Sequence, residues 1–324
     1  MPTQYQIDAP LTEFVQASFA GQRGWVAQSA AIPRVLVDKV SDTYHKLNTK
    51  LIAANTTLDL RHTPGASYLR GNLTDTTSNF VVLERGYEAA TPTSRVQNAD
   101  FSLDAADAMM AATQLVGARE ASYQSLLQTS GNFANNTTLT GTDQWSDDAS
   151  NPKTDVQLAI RTIRTATNNS PGLFRISMNE AVFNRVQMHP LVRDQYKYTS
   201  SEFTDEQIMA RYFGVDRIVV ATSVKDTAAM GQDASLSVFW TDSVSVFKVQ
   251  DPASRFSDQF ATEFNWNEGL MGDSLETPDA NPWGIRIERY VEQARKVRIL
   301  RAVDWYVLEQ PNTSNGYIII DTLA

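Results

Sequence analysis

Three histidines, His45, His62 and His189, are the only imidazoles of the chain. Imidazole is the side chain whose ordinary pKa suits acid–base work near neutrality. Their spacing fits neither the HExxH pair of a zinc hydrolase nor another paired-ligand pattern. His189 precedes Pro190, a combination expected at the end of a helix. Asp143, Asp147 and Asp148 gather around Trp145, and Asp104 and Asp107 share a predicted helix face. Such carboxylates could hold a cation, but a calcium loop needs dense alternating oxygens and a late bidentate glutamate. That glutamate is missing, and a solvated acidic turn is the simpler reading. No GxSxG elbow, Walker A loop or GxGxxG fingerprint occurs. The absence of cysteine removes disulfides, thiolate metal sites and cysteine nucleophiles together. The sequence therefore predicts no catalytic residue, no metal ligand and no cofactor.

A second charged set lies near the C-terminus: Arg286, Arg289, Arg295, Lys296, Arg298 and Arg301. On two predicted strands these residues read as a wet sheet face paired to Glu288 and Glu292. The competing reading is a subunit contact or a surface facing a polyanion.

The 324 residues are enough for two domains, or for one with large excursions. Hydrophobic residues make up 42% and charged residues 20%, the composition of a folded chain rather than a disordered one. A net charge of −9 argues against tight nucleic-acid binding through a basic face. No window approaches the ~18 consecutive apolar residues of a membrane span. The N-terminus has neither the basic nor the apolar region of a signal peptide, so a protein made without export is expected.

The elements that must position these residues divide into a helical half and a sheet half, an α+β chain. Residues 1–34 form an arm, with a short helix over Leu11–Phe19 broken by Gly21-Gln-Arg-Gly24. Its aromatic residues pack either on their own domain or on a neighbouring subunit. Strands are predicted over Ile32–Leu47 and Asn79–Glu88, joined by a long excursion with a Thr63-Pro64-Gly65 turn. Two isolated strands bury too little to offset their ordering entropy, so this excursion needs a surface to lie on. Ser102 then caps a helix running to about Gln128, free of proline, with an apolar stripe of Leu103, Ala106, Met109, Met110, Leu115, Val116, Tyr123, Leu126 and Leu127. Helices follow over Asp155–Thr165 and Asn179–Met188, and another opens at the Thr204-Asp-Glu-Gln207 capping box and stops at Gly214. Strands cover Leu173–Met178, Arg217–Thr222, Leu236–Trp240, Ser243–Val249, Phe260–Trp266, Trp283–Tyr290, Val297–Leu308 and Tyr317–Asp321.

The order of parts resembles a tailed-phage major capsid protein of the Hong Kong 97 type, over nearly the whole chain. The local stretches that carry the resemblance are Val82-Leu-Glu-Arg-Gly-Tyr87-Glu-Ala, Leu139-Thr-Gly-Thr-Asp-Gln-Trp145, Met188-His-Pro190, Phe213-Gly-Val-Asp-Arg-Ile-Val-Val220 and Val238-Phe-Trp240. The resemblance implies a Hong Kong 97-like fold. Its parts would be an N-terminal arm (1–34), an extended loop with flanking strands (35–98), a peripheral domain with a spine helix (99–170 and 275–324) and an axial domain (171–274). It implies a non-enzymatic subunit that self-assembles into the icosahedral head shell around double-stranded DNA. The loop tip, with Arg61, His62, Tyr68 and Arg70, would lie across the adjacent subunit. Expected partners are copies of the chain as hexamers and pentamers, a separate scaffolding protein, a portal and decoration proteins. Contact with packaged DNA would be weak and non-specific. The expected location is the virion, after assembly in the host cytoplasm. Two other readings stay open: an encapsulin-like nanocompartment shell, and a carbohydrate-active or other hydrolytic enzyme using the carboxylates near Trp145.

Overall fold

A computed structural model describes residues 6–20, 24–29, 31–47, 61, 67–68, 70, 75–100, 102–168, 171–196, 206–229, 232–266 and 284–324. The Thr63-Pro64-Gly65 turn, His62, Thr204 of the capping box and Trp283 lie outside the described residues. The N-terminal segment holds β1 (Gln6–Ile7) and α1 (Ala9–Ala20). Asp8 accepts the Leu11 N–H at 3.1 Å and so caps the helix start. At Gly24, φ is +116° and an added Cβ would sit 1.8 Å from Thr222 Oγ1, so the site takes glycine alone.

The two strands expected over 32–47 and 79–88 are each divided, giving β2 (Arg34–Val37), β3 (Ser41–Leu47), β4 (Asp75–Val81) and β5 (Leu83–Pro92). Both breaks have one cause. β3 and β4 pair with each other as a separate antiparallel ribbon, whereas β2 and β5 join a larger sheet, so the chain bends at 38–40 and at Val82. After α2 (Thr93–Gln97) comes α3 (Leu103–Gln128), a single 26-residue helix roughly 39 Å long. Ser102 caps it by accepting the Ala105 N–H at 3.5 Å.

The remaining elements follow in order: β6 (Asn135–Thr138), α4 (Pro152–Ala166), β7 (Leu173–Asn179), α5 (Glu180–Met188), α6 (Pro190–Tyr196), α7 (Glu206–Phe213), β8 (Arg217–Ala221), β9 (Val224–Asp226), β10 (Leu236–Val238), β11 (Val244–Val249), β12 (Thr262–Trp266), β13 (Arg286–Glu292), β14 (Val297–Glu309) and β15 (Gly316–Ile320). Asn151 and Asn179 cap α4 and α5 through the N–H groups of Thr154 and Val182 at 3.3 and 2.8 Å. Gly214, at φ +74°, ends α7 in a Schellman arrangement, with Val215 N–H donating to Ala210 O at 2.9 Å.

Two sheets organise these parts. The six-stranded sheet runs β1-β13-β14-β12-β2, with β5 along the other side of β14. The five-stranded sheet runs β6-β15-β11-β7-β8. Its strands alternate between two cores: Ile176, Val246 and Ile319 face α4, α5 and α7, while Phe247, Val249 and Ile318 face Val26, Ile32, Tyr123 and Leu127. This sheet takes β6 and β15 from the spans 99–170 and 275–324 and β7, β8 and β11 from 171–274, while β12 of that last span lies in the six-stranded sheet. The arm packs on its own subunit. Val15 and Phe19 are buried against Ala108, Ala111 and Leu115 of α3 and against Ile285 and Ile287.

Candidate assembly surface

Among the described residues β3 and β4 form a two-stranded sheet of their own, and its root is packed on β12. Tyr44 and Phe80 are buried on the ring of Phe264, with Phe80 stacked at 4.3 Å and Tyr44 at 5.8 Å. On the ribbon's flank, His45 N–H donates to Arg255 O at 3.0 Å, the His45 ring stacks on Phe256 at 4.4 Å, and Arg255 pairs with Asp42. Thr43 and Asn79, paired between these root residues, are polar and exposed, and so are Thr77 and Thr76 toward the outer end. Of the predicted contact residues, Arg61, Tyr68 and Arg70 are exposed, Tyr68 at 73%. A ribbon fixed at its base and polar along its length can present backbone and side chains to a neighbour without support from its own core.

The spine helix α3 carries a charged core that periodicity did not reveal. Ala106 and Met110, expected in the buried stripe, are exposed, Met110 at 47%. Arg119 and Glu120 are buried in their stead. Arg119 meets Glu263 at 2.5 Å and Asp304 at 3.6 Å, and Arg34 reaches Glu263 at 3.2 Å. Tyr123 donates its hydroxyl to Glu263, and the guanidiniums of Arg85 and Arg119 lie 4.0 and 4.5 Å from the Tyr306 ring centre. Burial alone would raise the Glu263 carboxyl, but Arg119 and Arg34 hold it below its ordinary value. Asp304 goes the other way: burial raises it, and Arg119 only partly offsets this.

Glu120, the next residue around α3, binds donors instead of cations. Its Oε1 accepts from Val26 N–H, Ser223 Oγ and Trp240 Nε1 at 3.1, 3.0 and 2.6 Å, and Oε2 accepts from Ala27 N–H at 2.8 Å. One carboxylate thus ties the arm, the β8–β9 junction and the end of β10 to the spine helix. Burial raises its pKa against the pull of these four donors.

Five of the six basic residues singled out near the C-terminus form ion pairs within the subunit. Arg286 pairs with Glu288 at 2.6 Å and Arg295 with Glu292 at 3.5 Å, the expected carboxylates, but Arg286 and Glu288 are buried, so this part of the face is not wet. Three further pairings were not expected from the sequence: Arg289 binds Asp8 at 2.7 Å, Arg301 binds Glu88 at 2.6 Å, and Arg298 binds Asp104. Trp145 is fully buried and donates to Asp155 at 2.8 Å, Asp148 pairs with Arg185 at 2.7 Å, and Asp147 accepts the Ala149 N–H at 2.8 Å. Asp107 accepts from the Thr91 hydroxyl at 2.5 Å. His189 is buried, with Nε2 3.3 Å from Ser150 Oγ. Among the described residues no group of three histidine or acidic side chains could hold a metal ion, and no helix is long and apolar enough to cross a membrane.

No family model matches this sequence, and no curated protein matches it. Solved structures do match, over nearly the full chain. A phage-related protein from Bordetella bronchiseptica RB50 is 17% identical and superposes with a TM-score of 0.68, covering 98% of both chains. The capsid of Myoviridae Phage XM1 is 11% identical with a TM-score of 0.56, covering 92% of each chain. A virus-like particle from Pyrococcus furiosus is 10% identical with a TM-score of 0.55, covering 96% of this chain and 98% of that one. At these identities the likeness is one of fold. The chain has the Hong Kong 97-type fold of phage capsid structures, the α+β architecture expected from its sequence.

Proposed function

We propose that this chain is the major capsid protein of a tailed bacteriophage, a structural subunit without catalytic activity that self-assembles into the icosahedral head shell around double-stranded DNA. The observation that carries this reading is the likeness in fold to a phage capsid structure over 92% of the chain. The ribbon rooted on Phe264 supports it, because a polar two-stranded sheet gains little from its own subunit and much from a neighbour. In this reading Arg61, His62, Tyr68 and Arg70 contact the adjacent subunit. The arm corresponds to 1–34, the extended loop to 35–98, the peripheral domain to 99–170 and 275–324, and the axial domain to 171–274. Copies associate as hexamers and pentamers, with a separate scaffolding protein, a portal and decoration proteins as partners. A net charge of −9 keeps contact with packaged DNA weak and non-specific. Assembly takes place in the host cytoplasm, and the protein resides in the virion.

A second reading is an encapsulin-like shell around protein cargo. Its support is the Pyrococcus furiosus virus-like particle, which shares the fold. Neighbouring genes distinguish the two: terminase and portal genes accompany a phage, and a cargo enzyme gene accompanies a compartment.

Light scattering against protein concentration, followed by negative-stain microscopy, tests the shell reading. Repeated contacts make assembly cooperative, so a threshold concentration and closed particles are expected. A monomer at every concentration, with or without a scaffolding partner, would overturn it.

A further inference from the structure

The β9–β10 ribbon carries its apolar residues on the outward side. An antiparallel ribbon resting on a protein body normally turns apolar side chains inward and polar ones outward. Here Val224, Leu236 and Val238 are 51%, 69% and 59% exposed, while Lys225 and Ser237 between them are half-buried. The register sets Val224 opposite Val238 and Asp226 opposite Leu236, so these four side chains share one face.

A slip of one residue would turn this apolar set inward, yet the tip prevents it. Asp226 Oδ1 accepts the N–H groups of Ala228 and Ser235, both at 2.9 Å, and Thr227 N–H donates to Ser235 O at 2.9 Å. On the inner side, Lys225 Nζ sits 5.2 Å from the ring centre of buried Phe239, whose N–H donates to Ser223 O at 3.0 Å. The outward apolar face is therefore pinned in place.

We propose that this face is a contact between copies, with Val224, Leu236 and Val238 covered by a second copy of this chain in the assembled state. The inference rests on the shell reading above and names one of its contact surfaces. Two observations select a second copy. A face held outward in every molecule needs a partner as abundant as the chain itself, and only another copy is guaranteed at that ratio. Copies carrying −9 each repel one another, so they meet best where charge is absent. The only charged group on this face, Asp226, is already engaged by the tip backbone.

A photo-cross-linking amino acid at position 236 in the assembled protein tests the contact directly. The expected product has twice the subunit mass, and the same probe at exposed Arg161 of α4 serves as comparison. Assemblies that form while position 236 yields no copy-to-copy product, or a product with a different protein, would overturn the inference and leave the shell reading standing. Failure of the unsubstituted chain to assemble at all would remove both. Independently, Leu236→Ser with Val238→Thr should leave the subunit's thermal melt unchanged and raise the assembly threshold at least about tenfold. If that pair does not fold, Val238→Thr alone, nearly the same shape, should still raise the threshold. An unchanged threshold in a folded variant counts against the contact.

Discussion

Arg119 of the spine helix α3 and Glu263 of β12 meet at 2.5 Å, 144 positions apart in the chain, with both side chains buried. With Asp304 and Arg34 they form the charged centre between the spine helix and the six-stranded sheet. Removing one member strands the others. Arg119→Met should cost about 3–5 kcal/mol, because Glu263 and Asp304 then lose their closest cation inside the fold. Adding Glu263→Gln to Arg119→Met should recover part of that loss, since the two sites share one network. Urea unfolding of both variants measures the difference. Equal and fully additive losses would show that the pair is not coupled.

Glu120 supplies a pH test of known sign. Its folded pKa is raised by burial above the ordinary 4.5, so the folded state holds this proton more tightly than the unfolded chain. Its contribution to stability is complete below 4.5 and declines as pH rises from there through the folded pKa. Glu120→Gln should therefore narrow its deficit against the unsubstituted protein between about pH 4 and about pH 7. A residual cost of roughly 1–3 kcal/mol should persist, because an amide nitrogen facing the Ala27 N–H cannot accept its hydrogen bond. Denaturant midpoints at both pH values measure the change, and a deficit that widens with pH would contradict the sign.

The spine helix tests burial against exposure on one element. Val116 is 1% exposed and packs with Ala112 and Leu115 against the sheet, whereas Gln114 is exposed. Val116→Asp should cost about 3 kcal/mol or more and prevent soluble expression. Gln114→Lys should stay within about 0.5 kcal/mol of the unsubstituted protein by thermal melt. Equal tolerance at both positions would mean that this face is not packed.

The extended loop expected from the sequence tests the division of labour between folding and assembly. Deleting Asp59–Asn72 should leave a folded subunit, because the ribbon root on Tyr44, Phe80 and Phe264 is untouched. The same deletion should abolish closed particles in negative-stain images. A subunit that unfolds on deletion would place the loop in the core.

Much of the architecture was legible because its causes are local. Ser102, the proline-free run behind it and Gly214 after Phe213 act on neighbouring backbone, so they announce α3 and the end of α7 from the sequence alone. Runs rich in β-branched and aromatic residues likewise announce β11, β14 and β15. Tertiary structure alone decided the rest. A periodicity reading turns charges toward water, yet Arg119 and Glu120 face inward because Glu263, Asp304, Trp240 and the Val26–Ala27 backbone arrive from distant segments to satisfy them. The bends at 38–40 and Val82 have the same origin, since a strand changes partner where another part of the chain supplies the next ladder. The outward face of β9–β10 is a matter of register, and its alternation reads the same from either side until the pairing with the tip fixes which side meets the protein.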